Sequence, residues 1–213
     1  MRTIDMQTWS RRQHFDLFST YDSPYFGLCA HIDLTAFYPA VKQRGHSFTI
    51  AIVYLIARAA NAIPEFRHRI RDGQVIEHDV VHPGFTFLAE EDLFSFSFAD
   101  YVEDYTAFAA ATAEQIAYVK EHPWVHQVPQ DDVLFMTAIP WVSFTSFLHP
   151  VQLQRADSIP RFAWGKYFQE GDFLKMPLGV QGHHALLDGV HVGKFYAQIE
   201  GYLHQPELLL DEA

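Results

Sequence analysis

Two adjacent histidines near the carboxyl end of the chain are the side chains best suited to chemistry. His183 and His184 stand five and four residues ahead of Asp188, and Gly189 follows that aspartate at once. A histidine takes up and returns a proton near neutral pH. The aspartate can fix the local geometry, and the glycine lets the backbone turn sharply. The pattern predicts an imidazole held rigidly on a loop between a strand and a helix.

The same stretch also permits a metal site. His184, Asp188 and His191 would lie on one face if the segment were helical, at spacings that suit metal ligands. Gly182 and Gly189 bracket the segment and argue against a continuous helix. We therefore expect no metal here, and we interpret His191 as a packed structural histidine.

The elements that must position these residues alternate in type along the chain. Helices are predicted over residues 9–18, 33–44, 47–62, 107–120 and 192–203. Strands are predicted over residues 27–33, 69–76 (with a hairpin turn at Asp72-Gly73), 84–89, 93–98, 133–138, 159–169 and 173–181. Residues 205–213 are expected to fray. This order favours an α/β fold, a two-layer sandwich of mixed β-sheet and helices, in a single domain of residues 1–213.

Composition narrows the class of protein further. The chain has 213 residues, 49% of them hydrophobic and 15% aromatic, which is enough for a sizeable core and for aromatic-lined pockets or a buried subunit interface. Its formal net charge of −11 argues against nucleic acid as a partner. Cys29 stands alone, so an intramolecular disulfide is excluded. The amino terminus shows no signal peptide and no segment is long and apolar enough to span a membrane, so we expect a cytoplasmic protein without a membrane partner.

Short motifs along nearly the whole chain are similar to those of one enzyme family. The HHxxxDG pattern at 183–189 occurs in chloramphenicol acetyltransferases, in the catalytic domain of 2-oxo acid dehydrogenase E2 subunits and in peptide synthetase condensation domains. Further motifs resemble the first group alone and occur in its order: WSRRQHF at 9–15, NAIPEFR at 61–67, VHP at 81–83, PWVSFTSF at 140–147, GKY at 165–167 and MPL at 176–178. The chain thus resembles the chloramphenicol acetyltransferases.

That resemblance implies roles for four residues. His184 resembles the catalytic base, which takes a proton from the acceptor hydroxyl while its other ring nitrogen is held by its own backbone carbonyl. Ser146 resembles the serine whose hydroxyl stabilises the tetrahedral oxyanion. Asp188 and Arg11 resemble an ion pair that supports the site. A serine hydrolase built on Ser146, His184 and Asp188 is a poorer interpretation, because no G-x-S-x-G motif surrounds the serine.

The resemblance also places the substrates. The acceptor pocket is expected to include Phe18, Phe26, Thr86, Phe94, Phe147, His149, Arg161 and Ala163. Four of these depart from the family: Arg161 and His149 replace apolar residues, Ala163 replaces a threonine and Phe18 replaces a tyrosine. Arg161 and His149 would suit a more polar or anionic acceptor, so the changes favour acyl transfer as the reaction without specifying the acceptor. Lys166 and Tyr167 are expected to contact the nucleotide end of acetyl-CoA, although a lysine and a tyrosine of the family become Ser47 and Thr49.

The function implied is transfer of acetyl from acetyl-CoA to the primary hydroxyl of chloramphenicol, which confers antibiotic resistance. The family forms homotrimers with active sites between subunits, and it uses acetyl-CoA without metal. Two alternatives remain open at this point. One is an O-acyltransferase for another small alcohol, and the other is a non-catalytic trimeric binding protein of the same fold.

Overall fold

The computed structural model describes residues 1–90, 92–123, 130–152 and 157–211. Its strands are β1 (Arg2–Thr3), β2 (Tyr25–Asp33), β3 (His68–Arg71), β4 (Gln74–Glu77), β5 (His82–Glu90), β6 (Leu93–Phe98), β7 (Val133–Ile139), β8 (Arg161–Gly165), β9 (Phe168–Glu170) and β10 (Phe173–His183). Its α-helices are α1 (Arg12–Phe18), α2 (Phe37–Gln43), α3 (Phe48–Asn61), α4 (Tyr105–Glu121), α5 (Gly189–His204) and α6 (Glu207–Leu210), and a 3-10 turn covers Pro64–Arg67.

A mixed sheet forms one layer, which confirms the predicted α/β class. Its strands run in the order β2-β10-β8-β7-β5-β6, and β9 adds to β10. The β5–β7 and β7–β8 pairs are parallel and the others antiparallel. A smaller sheet of β1, β4 and β3 contains the predicted hairpin, in which Asp72 and Gly73 have φ angles of 48° and 74°. Two positive φ values suit the tight turn that the Asp-Gly pair predicts.

Helix α3 forms the centre of the helical layer. Ser47 caps it by accepting a hydrogen bond from the Ile50 amide, as its sequence position before an apolar run suggests. Ten of its residues are buried, including the long side chains of Tyr54 and Leu55. Because the helix is apolar around most of its circumference, it packs on several elements at once. Helices α4 and α5 lie against it, and it also contacts β5.

Strand β10 leads directly to the histidine motif. Its residues from Met176 to His183 are all buried, and it lies between β2 and β8. The chain leaves the strand after His183, crosses a short loop and enters α5 at Gly189. The predicted strand–loop–helix arrangement around the histidines is therefore present.

Several predicted elements differ from the structure, among them α2, which begins at Phe37 rather than at residue 33, and α5, which begins at Gly189 rather than at residue 192. Helix α1 begins at Arg12 rather than at residue 9, because the Thr8 hydroxyl bonds to Asp5 instead of capping a helix. The predicted strand 159–169 is divided into β8 and β9, with residues 166 and 167 between them. The tail does not fray over the described residues, since α6 buries Leu209 and Leu210. No helix among the described residues is long and apolar enough to cross a membrane.

Candidate active site

The loop after β10 is fixed by its own backbone hydrogen bonds. The His184 amide donates to the Pro24 carbonyl at 2.7 Å, which ties the loop to the start of β2. The His183 carbonyl accepts from the amides of Leu186 and Leu187 at 2.9 and 3.0 Å. These bonds close a tight turn, so the His184 side chain projects from a backbone with little freedom.

The His184 ring is held in one tautomer. Its Nδ1 lies 3.0 Å from the carbonyl oxygen of Leu187. A carbonyl only accepts, so Nδ1 must carry the proton and Nε2 of the neutral ring presents a lone pair. The resemblance predicted a bond to the residue's own carbonyl, and that detail is wrong for this structure. The turn between residues 183 and 187 brings the Leu187 carbonyl to the Nδ1 edge of the ring instead.

Two phenylalanines contact the His184 ring. Phe18, at the end of α1, stacks on His184 with ring centroids 4.0 Å apart and an interplanar angle of 11°. Phe26 of β2 lies 4.7 Å away at 37°. Both were predicted for the acceptor pocket, and both contact the imidazole itself. The aromatic contacts restrict rotation of the ring about its Cβ–Cγ bond.

Arg11 and Asp188 join α1 to the end of the loop, as predicted. The guanidinium of Arg11 donates to Asp188 Oδ2, and its second nitrogen donates to the His184 carbonyl at 3.4 Å. Burial raises the pKa of Asp188, but the hydrogen bond and charge of Arg11 outweigh it and leave the pKa below its usual value. The carboxylate is therefore ionised, and it also caps α5 by accepting from the Val190 amide.

The other two histidines of the motif have structural surroundings. His183 is buried against Tyr25, and burial lowers its pKa to about 4, so the ring is neutral at pH 7. His191 lies in the first turn of α5 and accepts a hydrogen bond from the Asp188 amide at 3.1 Å. The residues that would share a metal are thus committed to other partners. Among the described residues, no group of three or more His, Cys, Asp or Glu could hold a metal ion.

Ser146 lies on an extended segment that crosses the sheet where strands β8 and β10 carry glycine. A Cβ at Gly165 would come within 3.0 Å of the Phe144 ring, and one at Gly179 within 3.8 Å of Phe147 Cβ. The segment therefore packs directly on the backbone of the sheet. Ser146 itself is exposed, and within the described residues no hydrogen bond joins it to His184.

The remaining predicted acceptor residues lie on several strands. Thr86 is half-buried on β5, and Phe94 on β6 is 51% exposed. Phe147 contacts the His149 ring edge to face at 4.6 Å. Ala163 is fully enclosed in β8, opposite Gly179.

Arg161 does not offer a free positive charge to an acceptor. Its guanidinium forms an ion pair with Asp157, donates to the Ile159 carbonyl at 2.9 Å and lies over the Phe135 ring. Its side chain is 8% exposed. The suggestion that this arginine selects an anionic acceptor is therefore wrong for the described structure, because the charge is already neutralised within the chain.

The His149 ring is neutral and makes no hydrogen bond to the described residues. Burial, with a smaller contribution from the Arg161 charge, lowers its pKa to about 4. Both ring nitrogens are buried without a partner, while the backbone amide donates to Gln181 Oε1 at 2.8 Å. An aliphatic side chain at this position would therefore give up the ring contact with Phe147 but no ring hydrogen bond within the described residues.

Lys166 and Tyr167 lie on the surface between β8 and β9. The hydroxyl groups of Tyr167 and Tyr38 are 3.3 Å apart, and Lys42 lies over the Tyr38 ring. Tyr167 is 39% exposed. Tyr38 and Lys42 were not predicted, and their helical spacing on α2 signals only a surface face.

Comparison with solved proteins first shows the fold. A probable dihydrolipoamide acetyltransferase from Listeria monocytogenes superposes with a TM-score of 0.67 at 14% identity, over 96% of this chain and 94% of that one. That likeness is one of fold alone.

The particular family follows from closer relatives. The family model described as chloramphenicol acetyltransferase matches residues 1–200. A chloramphenicol acetyltransferase of Klebsiella sp is 35% identical over 204 residues, covering 94% of this chain and 92% of the relative. A solved chloramphenicol acetyltransferase superposes with a TM-score of 0.84 at 25% identity, over 95% of this chain and 100% of that one. The chain belongs to the chloramphenicol acetyltransferase family and is an enzyme. The alternative of a non-catalytic binding protein with the same fold is therefore wrong.

Proposed function

We propose that this enzyme is a chloramphenicol O-acetyltransferase that uses acetyl-CoA and takes His184 as its general base, within one domain of residues 1–213. The observation that carries the proposal is the 3.0 Å contact of His184 Nδ1 with the Leu187 carbonyl, which leaves Nε2 to accept a proton. A base needs that lone pair, and the family supplies the reaction.

The reaction proceeds without a covalent intermediate on the enzyme. His184 Nε2 takes the proton of the acceptor's primary hydroxyl as its oxygen attacks the thioester carbonyl carbon. The Ser146 hydroxyl donates to the resulting oxyanion, which is worth roughly 3–4 kcal/mol in comparable sites. The intermediate collapses to the acetyl ester, and the departing CoA thiolate recovers the proton from the imidazolium.

The proposal puts the nucleotide end of acetyl-CoA on the surface that carries Lys166 and Tyr167. The lysine provides a cation for phosphate, and the tyrosine provides an exposed aromatic face. Both chemical features suit a phosphorylated nucleotide. No metal is required for the steps above.

The active site is proposed to lie between subunits of a cytoplasmic homotrimer. Within one chain Ser146 is exposed and does not bond to His184. The segment around it also exposes large apolar side chains: Trp141 at 63%, Val142 at 55% and Leu148 at 76%. A neighbouring subunit would cover this surface and bring its own histidine to the serine.

The deciding experiment measures thiol release from acetyl-CoA with chloramphenicol for wild type, His184→Ala and His14→Ala. His14 is an exposed histidine on α1 and is the matched control. We expect turnover by wild type and the control, and a loss of about 10²–10⁴-fold in His184→Ala. Turnover with other primary alcohols but not with chloramphenicol would refute the acceptor and keep the acyl transfer.

A further inference from the structure

One peptide group links His184 to His191. The carbonyl of Leu187 receives the Nδ1 proton of His184 at 3.0 Å. The amide of Asp188, which belongs to the same peptide group, donates to His191 Nδ1 at 3.1 Å. In a planar trans peptide the C=O and N–H point in opposite directions, so the two histidines hold opposite ends of one rigid unit.

His191 is itself oriented by Glu65. Because its Nδ1 accepts from an amide, the proton of the neutral ring lies on Nε2, 3.4 Å from Glu65 Oε1. The hydrogen bond from His191 holds the pKa of Glu65 at about 2, so the carboxylate is ionised. His191 is only 5% exposed, which leaves the ring little freedom to turn.

We propose that Glu65 and His191 are positioning residues that fix the Leu187–Asp188 peptide and thereby orient the catalytic base. Rotation of this peptide would withdraw the Leu187 carbonyl from Nδ1 and release the ring from its productive tautomer. Donation to His191 also polarises the peptide, which makes its carbonyl a better acceptor. The inference rests on the proposed role of His184, but it concerns residues to which the reaction assigns no part.

Asp188 Oδ1 lies 3.0 Å from His191 Nδ1, the nitrogen that accepts from the Asp188 amide. Because of this second contact, the proposal requires one particular protonation state of His191. A protonated ring would donate to this carboxylate and could no longer accept from the Asp188 amide. The arrangement therefore requires neutral His191, while Arg11 and the Val190 amide hold the carboxylate.

The test compares His191→Leu with His191→Gln. Leucine cannot accept from the Asp188 amide, whereas a glutamine at the third helical position reaches back to it, as in a capping box. We expect kcat of His191→Leu to fall on the order of 10- to 100-fold with both KM values nearly unchanged. His191→Gln should stay within about threefold of wild type, because the acceptor is restored.

A second readout does not depend on turnover. Nitrogen-15 NMR of histidine-labelled protein, with His184 assigned by its loss in His184→Ala, reports which ring nitrogen carries the proton. We expect the Nδ1–H tautomer of His184 in wild type and His191→Gln, and a mixture of tautomers in His191→Leu. If wild type fails to acetylate chloramphenicol, the proposed acceptor is wrong, and this measurement still decides the positioning role.

The outcomes against the proposal are specific. A folded His191→Leu with wild-type kcat and tautomer would overturn it, as would equal damage from glutamine and leucine or a doubly protonated His191 at neutral pH. Should His191→Leu not fold, Glu65→Leu and Glu65→Gln replace it. Glu65→Leu removes the acceptor for His191 Nε2, whereas Glu65→Gln keeps one. Only Glu65→Leu should therefore lower kcat and produce a mixture of His184 tautomers.

Discussion

The ring of Phe18 lies parallel to the imidazole of His184, with centroids 4.0 Å apart. The two residues belong to α1 and to the loop after β10, which are remote in sequence. The contact makes the first helix, which Arg11 immediately precedes, a direct support of the ring of the proposed base. A residue predicted to touch the acceptor therefore also touches the base.

Removing the stacked ring should slow catalysis without unfolding the protein. Aromatic pairs contribute about 0.5–1.5 kcal/mol, so Phe18→Leu should lower kcat/KM roughly 3- to 10-fold. Phe18→Tyr keeps the ring and should remain close to wild type. Leu17→Ala, at an exposed neighbour, serves as the control. Steady-state kinetics decide, and unaltered kcat/KM in Phe18→Leu would show that the stack is dispensable.

The Arg11–Asp188 pair should contribute far more stability than the nearby Arg12–Asp16 pair. The first pair has side chains 10% and 24% exposed, whereas the second has 56% and 61%. Arg11→Met leaves a partly buried carboxylate without its partner and should cost roughly 3 kcal/mol. Arg12→Met should cost no more than about 0.5 kcal/mol.

Urea unfolding at pH 7 and equal protein concentration measures both changes. Equal losses from the two variants would contradict the structural role given to the buried pair. Asp188→Asn should also lower kcat, because it loosens the loop that carries His184.

Ser146→Ala should reduce kcat by about 10²–10³-fold, since it removes a donor to the developing oxyanion. Ser143→Ala changes an exposed serine on the same segment and should leave kcat unaffected. Mixtures of Ser146→Ala and His184→Ala chains test the proposal that the site lies between subunits. Activity should reappear after the inactive variants are unfolded and refolded together, and persistent inactivity would place both residues in one subunit.

Buried histidines should make the protein sensitive to acid. Burial lowers the pKa of His68, His149 and His183 to about 4, whereas unfolded histidine titrates near 6.5. The unfolded chain therefore binds more protons between these values, so stability is full above about pH 6.5 and declines as pH falls toward 4.

His149→Leu isolates one of these contributions. Between pH 7 and pH 5 the variant should lose roughly 2 kcal/mol less of its free energy of unfolding than wild type, because the titrating ring is gone. The substitution also eliminates two buried nitrogens that have no partner among the described residues. Denaturant midpoints at the two pH values give the difference. An unchanged pH dependence would mean that His149 is solvated in the folded protein.

Sequence patterns predicted most of the helices and strands because the residues that signal each element lie within it or next to it. The Asp72-Gly73 turn and the alternating residues of β6 needed no knowledge of distant contacts. The tail could not be predicted in this way, because α6 depends on burial of Leu209 and Leu210 and on the ion pair of Asp211 with Arg44. Sequence patterns do not report such remote partners.

The candidate site likewise has residues that the sequence predicts and a contact that it does not. His184, Asp188 and Arg11 follow from motif resemblance, and the structure places them in contact. The partner of His184 Nδ1 could not be foreseen, since it depends on how the five-residue loop folds. The contribution of His191 was available in principle, because an aspartate followed three residues later by a side-chain acceptor is a capping pattern.

Glycines beneath the two catalytic segments have a consequence for how this enzyme can change over generations. A methyl group at Gly165 would lie 2.7 Å from the Val142 carbonyl oxygen, and one at Gly182 would lie 2.6 Å from Leu187 Cδ1. The first contact is with backbone, so relieving it would shift the segment of the serine, whereas the second is with the end of a leucine side chain that can rotate away. An alanine allele at Gly165 should therefore be purged more strictly than one at Gly182, although neither glycine performs any chemistry.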